Sequence, residues 1–191
     1  MRKSKEAAAA TRQCIIDAAA LLFRRHGIDA VGVDAVMQAA GLTHGGFYGH
    51  FASKEALVAE VSAAALARSA ARWDRISREA PPAEALGRIV GPYLSPAHVA
   101  APESGCVLTA LGAEVARRPE ARAALSASIR EMLQALARCR PEQPGPAALA
   151  GLSTMVGAVV LARLADDPQL ADAFLQAAER AVLGRPAGET G

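Results

Sequence analysis

Side chains able to bind a metal or attack a substrate are few and scattered in this 191-residue chain. Its four histidines, His26, His44, His50 and His98, show no HExxH context and no i,i+4 ligand spacing, so no zinc site is written there. Cys14, Cys106 and Cys139 are odd in number and far apart. That excludes a CxxC metal pair and a disulfide framework and fits a reduced compartment. Nucleophile-elbow, P-loop and dinucleotide glycine patterns are missing, so the chain reads as not an enzyme, with no metal or cofactor expected. Chemistry of another kind is concentrated in Thr43-His44-Gly45-Gly46-Phe47-Tyr48-Gly49-His50-Phe51-Ala52-Ser53-Lys54. Hydroxyl, imidazole, phenol and ammonium groups alternate there with glycines. Such donors suit phosphate oxygens and base edges, and glycine lets the backbone come close to them.

The elements that must position these groups follow from the flanking pattern. An amphipathic run, Val33 to Ala40, is followed by a break at Gly41-Leu42 and a second short helix, the order of a helix-turn-helix. Adjacent glycines weaken that second helix by roughly 1 kcal/mol each relative to alanine. Thr43 is placed to cap it through its hydroxyl, and its N-terminus favours an anion such as phosphate. His44, Gly45 and Gly46 then fall in the first turn, which a recognition helix directs at base edges in a major groove. Phe47 and Phe51, four apart, are expected in the core with Leu22 and Phe23. An earlier helix is predicted from Ala8 to His26, with residues 1–8 frayed at their start. Ile15, Ala19, Leu22, Phe23 and His26 share one face of it, and Gly27 ends it. Thr11 and Arg12 near its start can meet a phosphate.

Thr11-Arg12, Ile15-Ile16-Asp17-Ala18-Ala19, Leu22-Phe23, Gly27, Val36-Met37, Ala40-Gly41-Leu42-Thr43, Gly46-Phe47-Tyr48, His50-Phe51, Ser53-Lys54-Glu55 and Leu57 together resemble the DNA-binding domain of the tetracycline-repressor (TetR) family. The resemblance implies an all-α fold of about nine helices. Residues 1–54 would form a three-helix helix-turn-helix DNA-binding domain, and 55–191 an effector-binding and dimerisation domain. It implies a ligand-responsive transcriptional regulator, a repressor, binding a pseudo-palindromic double-stranded DNA operator as a homodimer and released by a small-molecule ligand. The DNA-binding residues carried over are Thr11, Arg12, Thr43, His44, Gly45, Gly46, Tyr48, His50 and Lys54. Many family members carry larger polar side chains where this chain has Gly45 and Gly46. Base readout here therefore rests chiefly on His44, with DNA shape contributing more.

Composition agrees without specifying function. Hydrophobic residues make up 52% and aromatics only 4%, and alanine-rich sequence favours helix. No window alternates like a strand. The longest apolar stretches, such as Met155 to Ala162, read as too short for a bilayer. No apolar signal core follows the charged start, so a cytoplasmic protein without a membrane partner is expected. The net charge is +2, with seven Lys/Arg against four Asp/Glu over residues 1–54, or +3, leaving −1 for the rest. The basic end agrees with phosphate binding.

Beyond the motif, Ser53 is expected to cap a helix reaching about Arg78, with Arg68, Arg72 and Arg75 on a solvated face. Proline signals then place helices at about 82–94, 106–117, 119–138, 146–164 and 168–183. A loop at 95–104, a linker at 140–146 and a disordered tail from Gly184 complete the chain. The last two helices are apolar on more than one side, which marks an interface between two copies. Leu149, Leu152, Met155, Val156, Val159, Val160, Leu170, Phe174, Leu175 and Ala178 are its candidates. A mostly apolar effector pocket is expected around Trp73, Tyr93, Cys106, Leu111 and Met132. Gly105 to Val115 resembles the matching helix of a family subgroup that includes the repressor of N-ethylmaleimide reductase. By that resemblance Cys106 is a candidate electrophile sensor at a helix N-terminus, against the simpler reading of a buried structural cysteine. A helical protein-interaction module is the competing class. It accounts for the apolar terminal helices but not for Thr43 to His50.

Overall fold

Alanine-rich sequence with isoleucine, leucine and phenylalanine at helical spacing makes α1 (Arg2–His26), and Gly27 ends it at φ +86°, its N–H bonded to the Phe23 carbonyl at 2.8 Å. The computed structural model describes residues 2–185, apart from the side chains of residues 2–5 and 144. The helix starts six residues before the expected Ala8, because Ala7 to Ala10 offer nothing to break it. Ile15, Ile16, Ala19, Ala20 and Phe23 are buried. His26, expected on that face, is exposed at the last position of the helix.

α2 (Val33–Ala39) buries Val36 and Met37 against α1. Gly41, at φ +72°, turns the chain in a conformation that a side chain would strain, and the Leu42 N–H returns to the Met37 carbonyl at 2.9 Å. The expected second α-helix is instead a 3-10 helix, His44–Gly49. Its i→i+3 bonds, such as His50 N–H to Phe47 O at 2.9 Å, give a tighter and shorter element than an α-helix.

α3 (Lys54–Glu79) starts where the Ser53 hydroxyl accepts from the Ala56 N–H at 3.0 Å, and its arginines 68, 72 and 75 are exposed. It packs on α1 at one end and runs along α7 (Pro119–Arg138). α4 (Pro82–Tyr93) leads into α5 (Pro96–Ala100), where a loop was expected. Ser95 makes the difference, because its hydroxyl accepts from the His98 N–H at 3.2 Å and caps one turn. α6 (Val107–Ala116) starts one residue after the expected Cys106, which stands before it as the capping residue. α8 (Pro144–Leu164) begins two residues before the expected Pro146, and α9 (Pro168–Leu183) is capped by Asp167, whose carboxylate accepts from the Gln169 N–H at 2.9 Å. Gly184 caps α9 at φ +70°, so the expected tail does not start there, and its remainder at 186–191 lies outside the described residues.

The described residues are thus all-α, with no strand among them. One expectation about α8 needs correction. Gly145–Leu164 is long and apolar enough by length and composition to cross a membrane, at mean hydropathy 1.8 over 20 residues. Here one side of it packs against α5, α6, α7 and α9, and 39% of the stretch is buried.

Candidate nucleic-acid interface and internal cleft

Phe47 anchors the 3-10 helix. It is fully buried and stacked on Phe51 with ring centroids 5.6 Å apart, and a Cβ at Gly46 would lie 3.6 Å from the Met37 methyl. With that side fixed in the core, the opposite side presents Thr43, His44, Gly45 and Tyr48 to solvent. Tyr48 is 66% exposed, far more than internal packing asks of a tyrosine. A Cβ at Gly45 would meet nothing within 4 Å, so the chain's own packing does not require a bare backbone there. Thr43 stands in extended conformation before the helix, but its hydroxyl makes no capping bond, contrary to expectation. In the tighter 3-10 turn its carbonyl takes the Gly46 N–H at 3.1 Å instead.

The other sequence-selected donors are distributed around this face. Arg12 is held by a two-pronged ion pair with Glu60 and lies 4.4 Å over the Phe51 ring, so the Glu60 hydrogen bond keeps it charged and aimed. Thr11 donates its hydroxyl to the Ala7 carbonyl at 2.9 Å and keeps its lone pairs. His44 Nδ1 pairs with the exposed Asp34 carboxylate. Partly exposed pairs of this kind contribute about 0.2–1 kcal/mol, so an incoming phosphate can compete for either side chain. His50, which follows the 3-10 helix, and Lys54, the first residue of α3, are half-buried.

Sequence reasoning missed three residues that join this unit to the rest. The Glu114 carboxylate, near the end of α6, accepts from the Ile28 N–H at 2.8 Å and the Asp29 N–H at 3.3 Å. Arg24 of α1 donates to the Gly105 carbonyl at 3.1 Å, just before α6. Arg118 pairs with Asp29 and lies 3.3 Å from Glu55. Helix α6 is therefore tied at both ends to the C-terminal part of α1 and its following turn. The one sequence signal was Glu114 within the Gly105–Val115 segment. Arg24 and Arg118 carry no local cue.

A cleft of about 380 Å³ opens between α3, α4, α5 and the start of α6. Trp73, Tyr93 and Cys106 line it as the sequence reading placed them, but Leu111 and Met132 are buried at 1% and 0% exposure and do not. The walls are more apolar than polar, as expected, but Arg72, Arg88, Ser69 and Ser95 also reach it. Ring contacts join Trp73 to Tyr93 at 5.6 Å and Tyr93 to His98 at 4.7 Å. His98 is fixed as the neutral tautomer. Its Nδ1–H donates to the Tyr93 carbonyl at 2.6 Å while Nε2 accepts the Cys106 N–H at 2.9 Å. Burial pushes its pKa down, opposed by the Tyr93 bond and reinforced by nearby Arg163. A Cβ on Gly105 would come 2.6 Å from the His98 ring, so this approach requires glycine. Arg163 of α8 completes the frame by donating to the carbonyls of His98 at 2.8 Å and Val99 at 3.2 Å and to the Thr109 hydroxyl at 3.1 Å.

On the far side, the candidate interface residues divide. Leu152, Met155, Val159, Leu175 and Ala178 are buried inside the subunit, which corrects their placement on its surface. Val156, Val160 and Phe174 are half-buried, and Leu149 and Leu170 are exposed, joined by Leu161 and Leu164.

Comparison with known proteins adds a family to this geometry. Residues 15–61 match the family of bacterial regulatory proteins, tetR family. The chain is 40% identical over 60 residues to the HTH-type transcriptional regulator AcrR of Shigella flexneri, a match covering 31% of this chain and 28% of that protein. In fold it is similar to the reduced form of E. coli NemR, with a TM-score of 0.77 at 20% identity over 95% of this chain and 100% of that one. It is also similar to a TetR transcriptional regulator from Chloroflexus aurantiacus, with a TM-score of 0.73 at 26% identity over 96% of each chain.

Proposed function

We propose, from the match of residues 15–61 to the tetR family of bacterial regulatory proteins, that this chain is a transcriptional regulator of that kind, a homodimeric, ligand-released repressor working in the cytoplasm. Residues 1–54 would form its DNA-binding part and residues 55–191 its effector-binding and dimerisation part. The observation that carries the reading is the 3-10 helix His44–Gly49, whose Phe47 is locked in the core while its bare, polar face stands free.

In this reading His44, Gly45 and Gly46 face base edges, and Thr11, Arg12, Thr43, Tyr48, His50 and Lys54 meet phosphates. Two-fold symmetry calls for half-sites at least about one helical turn, ~34 Å, apart. An effector in the cleft by Trp73 and Tyr93 would alter the set of α6, and α6 is bonded to α1 through Arg24, Glu114 and Arg118. Release then needs the effector to favour the separation of recognition elements that does not fit the operator, by as much as its affinities for the two states differ.

The test is titration of the purified protein onto its own upstream intergenic DNA at two salt concentrations, with random duplex as competitor. Specific binding that falls steeply with salt supports the reading. Failure there and in a genome-wide fragment selection ends it.

A further inference from the structure

We infer that the cleft beside Trp73 takes a small aromatic carboxylate, with its ring in the notch of Trp73, Tyr93 and His98 and its acid group held by Arg72. This rests on the effector reading of the same cleft and deepens it by naming the ligand class.

The Tyr93 hydroxyl is the first sign of an occupant. Tyr93 is 8% exposed and lines the cleft, and its buried Oη makes no well-directed hydrogen bond, its polar neighbour being the Cys106 thiol, a weak partner. Buried hydroxyls without partners cost free energy and are uncommon, so this one points to an acceptor that arrives from outside the chain. Burial raises the Tyr93 pKa well above its ordinary value, so the group stays a donor. Around it the shape suits a planar ring, because the Trp73–Tyr93 and Tyr93–His98 pairs stand edge to face with angles of 68° and 74°. The volume of about 380 Å³ is at the lower end of ligand-pocket sizes, roughly 300–1,000 Å³, and fits a one-ring molecule.

Charge decides between an acid and a neutral compound. The described residues lining the cleft include Arg72 and Arg88 and no carboxylate. Arg88 is partly satisfied by Glu84 at 2.6 Å, whereas Arg72 makes no ion pair among the described residues. Exposed Arg68 and Arg75 on the same helix add positive potential. Glu103, the nearest acid before α6, acts on Arg24 and Arg163. His98 is neutral with both ring nitrogens occupied, so it offers a face rather than a charge. Arg72 is itself exposed, so an acid group there keeps part of its hydration and avoids the cost of full burial.

Trp73 is the sole tryptophan of the chain, which makes its fluorescence a reporter for this site alone. Full-length protein is titrated with cinnamate and, separately, with neutral cinnamamide. Cinnamate is expected to change Trp73 emission saturably and to bind at least tenfold tighter than the amide. Arg72→Gln should weaken cinnamate about tenfold and leave the amide unchanged. Tyr93→Phe should weaken cinnamate while lowering the melting temperature little, since the hydroxyl it removes has only the weakly bonding Cys106 thiol beside it. No saturable change with cinnamate, equal affinity for acid and amide, or an Arg72→Gln protein that binds cinnamate undiminished each overturns the assignment. Binding of the same preparations to upstream DNA, measured without cinnamate, keeps the two readings apart. DNA binding without cinnamate binding removes the ligand class alone, and cinnamate binding without DNA binding removes the regulator alone.

Discussion

Tyr48 and His98 show how single side chains divide between contact and scaffold. Tyr48 is exposed, so its hydroxyl can be removed without disturbing the core. Tyr48→Phe should leave stability within about 0.5 kcal/mol yet weaken binding to all duplexes, and Lys54→Ala should also reduce the salt slope by about one. His44→Ala should instead change preference between sites. Anisotropy titrations against two sequences at two salt concentrations separate these outcomes, and an unchanged slope in Lys54→Ala removes it from the phosphate contacts. His98 makes a prediction about pH. Its pKa is lowered by burial in the folded chain, whereas the unfolded value is about 6.5. Between the two values the unfolded chain binds more protons, so stability falls as pH drops below about 6.5. The groups facing it are Tyr93 from α4, Cys106 at the start of α6, Arg163 from α8 and Arg72 on α3. None of them supplies a negative charge to favour the imidazolium. Thermal melts at pH 7.5 and 5.5 should show a smaller acid-side loss in His98→Gln, which keeps a donor and an acceptor but cannot titrate. An equal loss in both proteins would place the sensitivity elsewhere. Arg12 was legible as a cation near the start of α1, but its partner Glu60 lies 48 residues away. No local pattern announces a pairing of that range.

Elements were legible where the cue is local. Ser53 and Asp167 cap the helices they precede, and Pro82 and Pro119 each open one. The misses arise where two local cues compete. Thr43 was expected to cap an α-helix, but Gly45 and Gly46 weaken it and the buried Phe47 and Phe51 settle the segment as a 3-10 turn. Residues 95–104 read as a loop because they contain Pro96 and Pro102, although a hydroxyl before proline at N1 is also a helix start. The ties on α6 lie at the limit of sequence reading, since each joins residues 81 to 89 positions apart. Glu114→Ala tests their weight. It leaves the Ile28 and Asp29 N–H groups without their acceptor, which should destabilise the chain by about 1–3 kcal/mol in urea unfolding. It should also weaken the effect of an effector on DNA affinity more than it weakens DNA affinity itself. A variant that unfolds as the parent does and keeps its full effector response would make the bond between Glu114 and the α1 turn incidental.

The whole molecule leaves its largest apolar side chains unevenly covered. Of the six exposed large hydrophobics among the described residues, Leu149, Leu161, Leu164 and Leu170 lie on α8 or α9, with Leu164 at 76% exposure. Sequence marked these two helices as apolar on more than one side. It could not assign each face, because a helix packed on both sides has no polar stripe to orient it. The structure settles half of that question by turning Met155 and Val159 inward and Leu149, Leu161 and Leu164 outward. A second copy of the same pair of helices would cover the outward set by two-fold symmetry. Leu161→Glu combined with Leu164→Glu should therefore leave the helical content and the internal core intact, because neither side chain is buried within the subunit. Two charges facing their symmetry mates would break the association, so sedimentation should shift from dimer to monomer. Operator affinity should fall steeply at the same time, since one monomer engages one half-site and loses the linkage to the second. A double variant that sediments as the parent does would move the interface off this face. One that became monomeric yet held the full operator as tightly would show that a single recognition element suffices, against the two-fold reading.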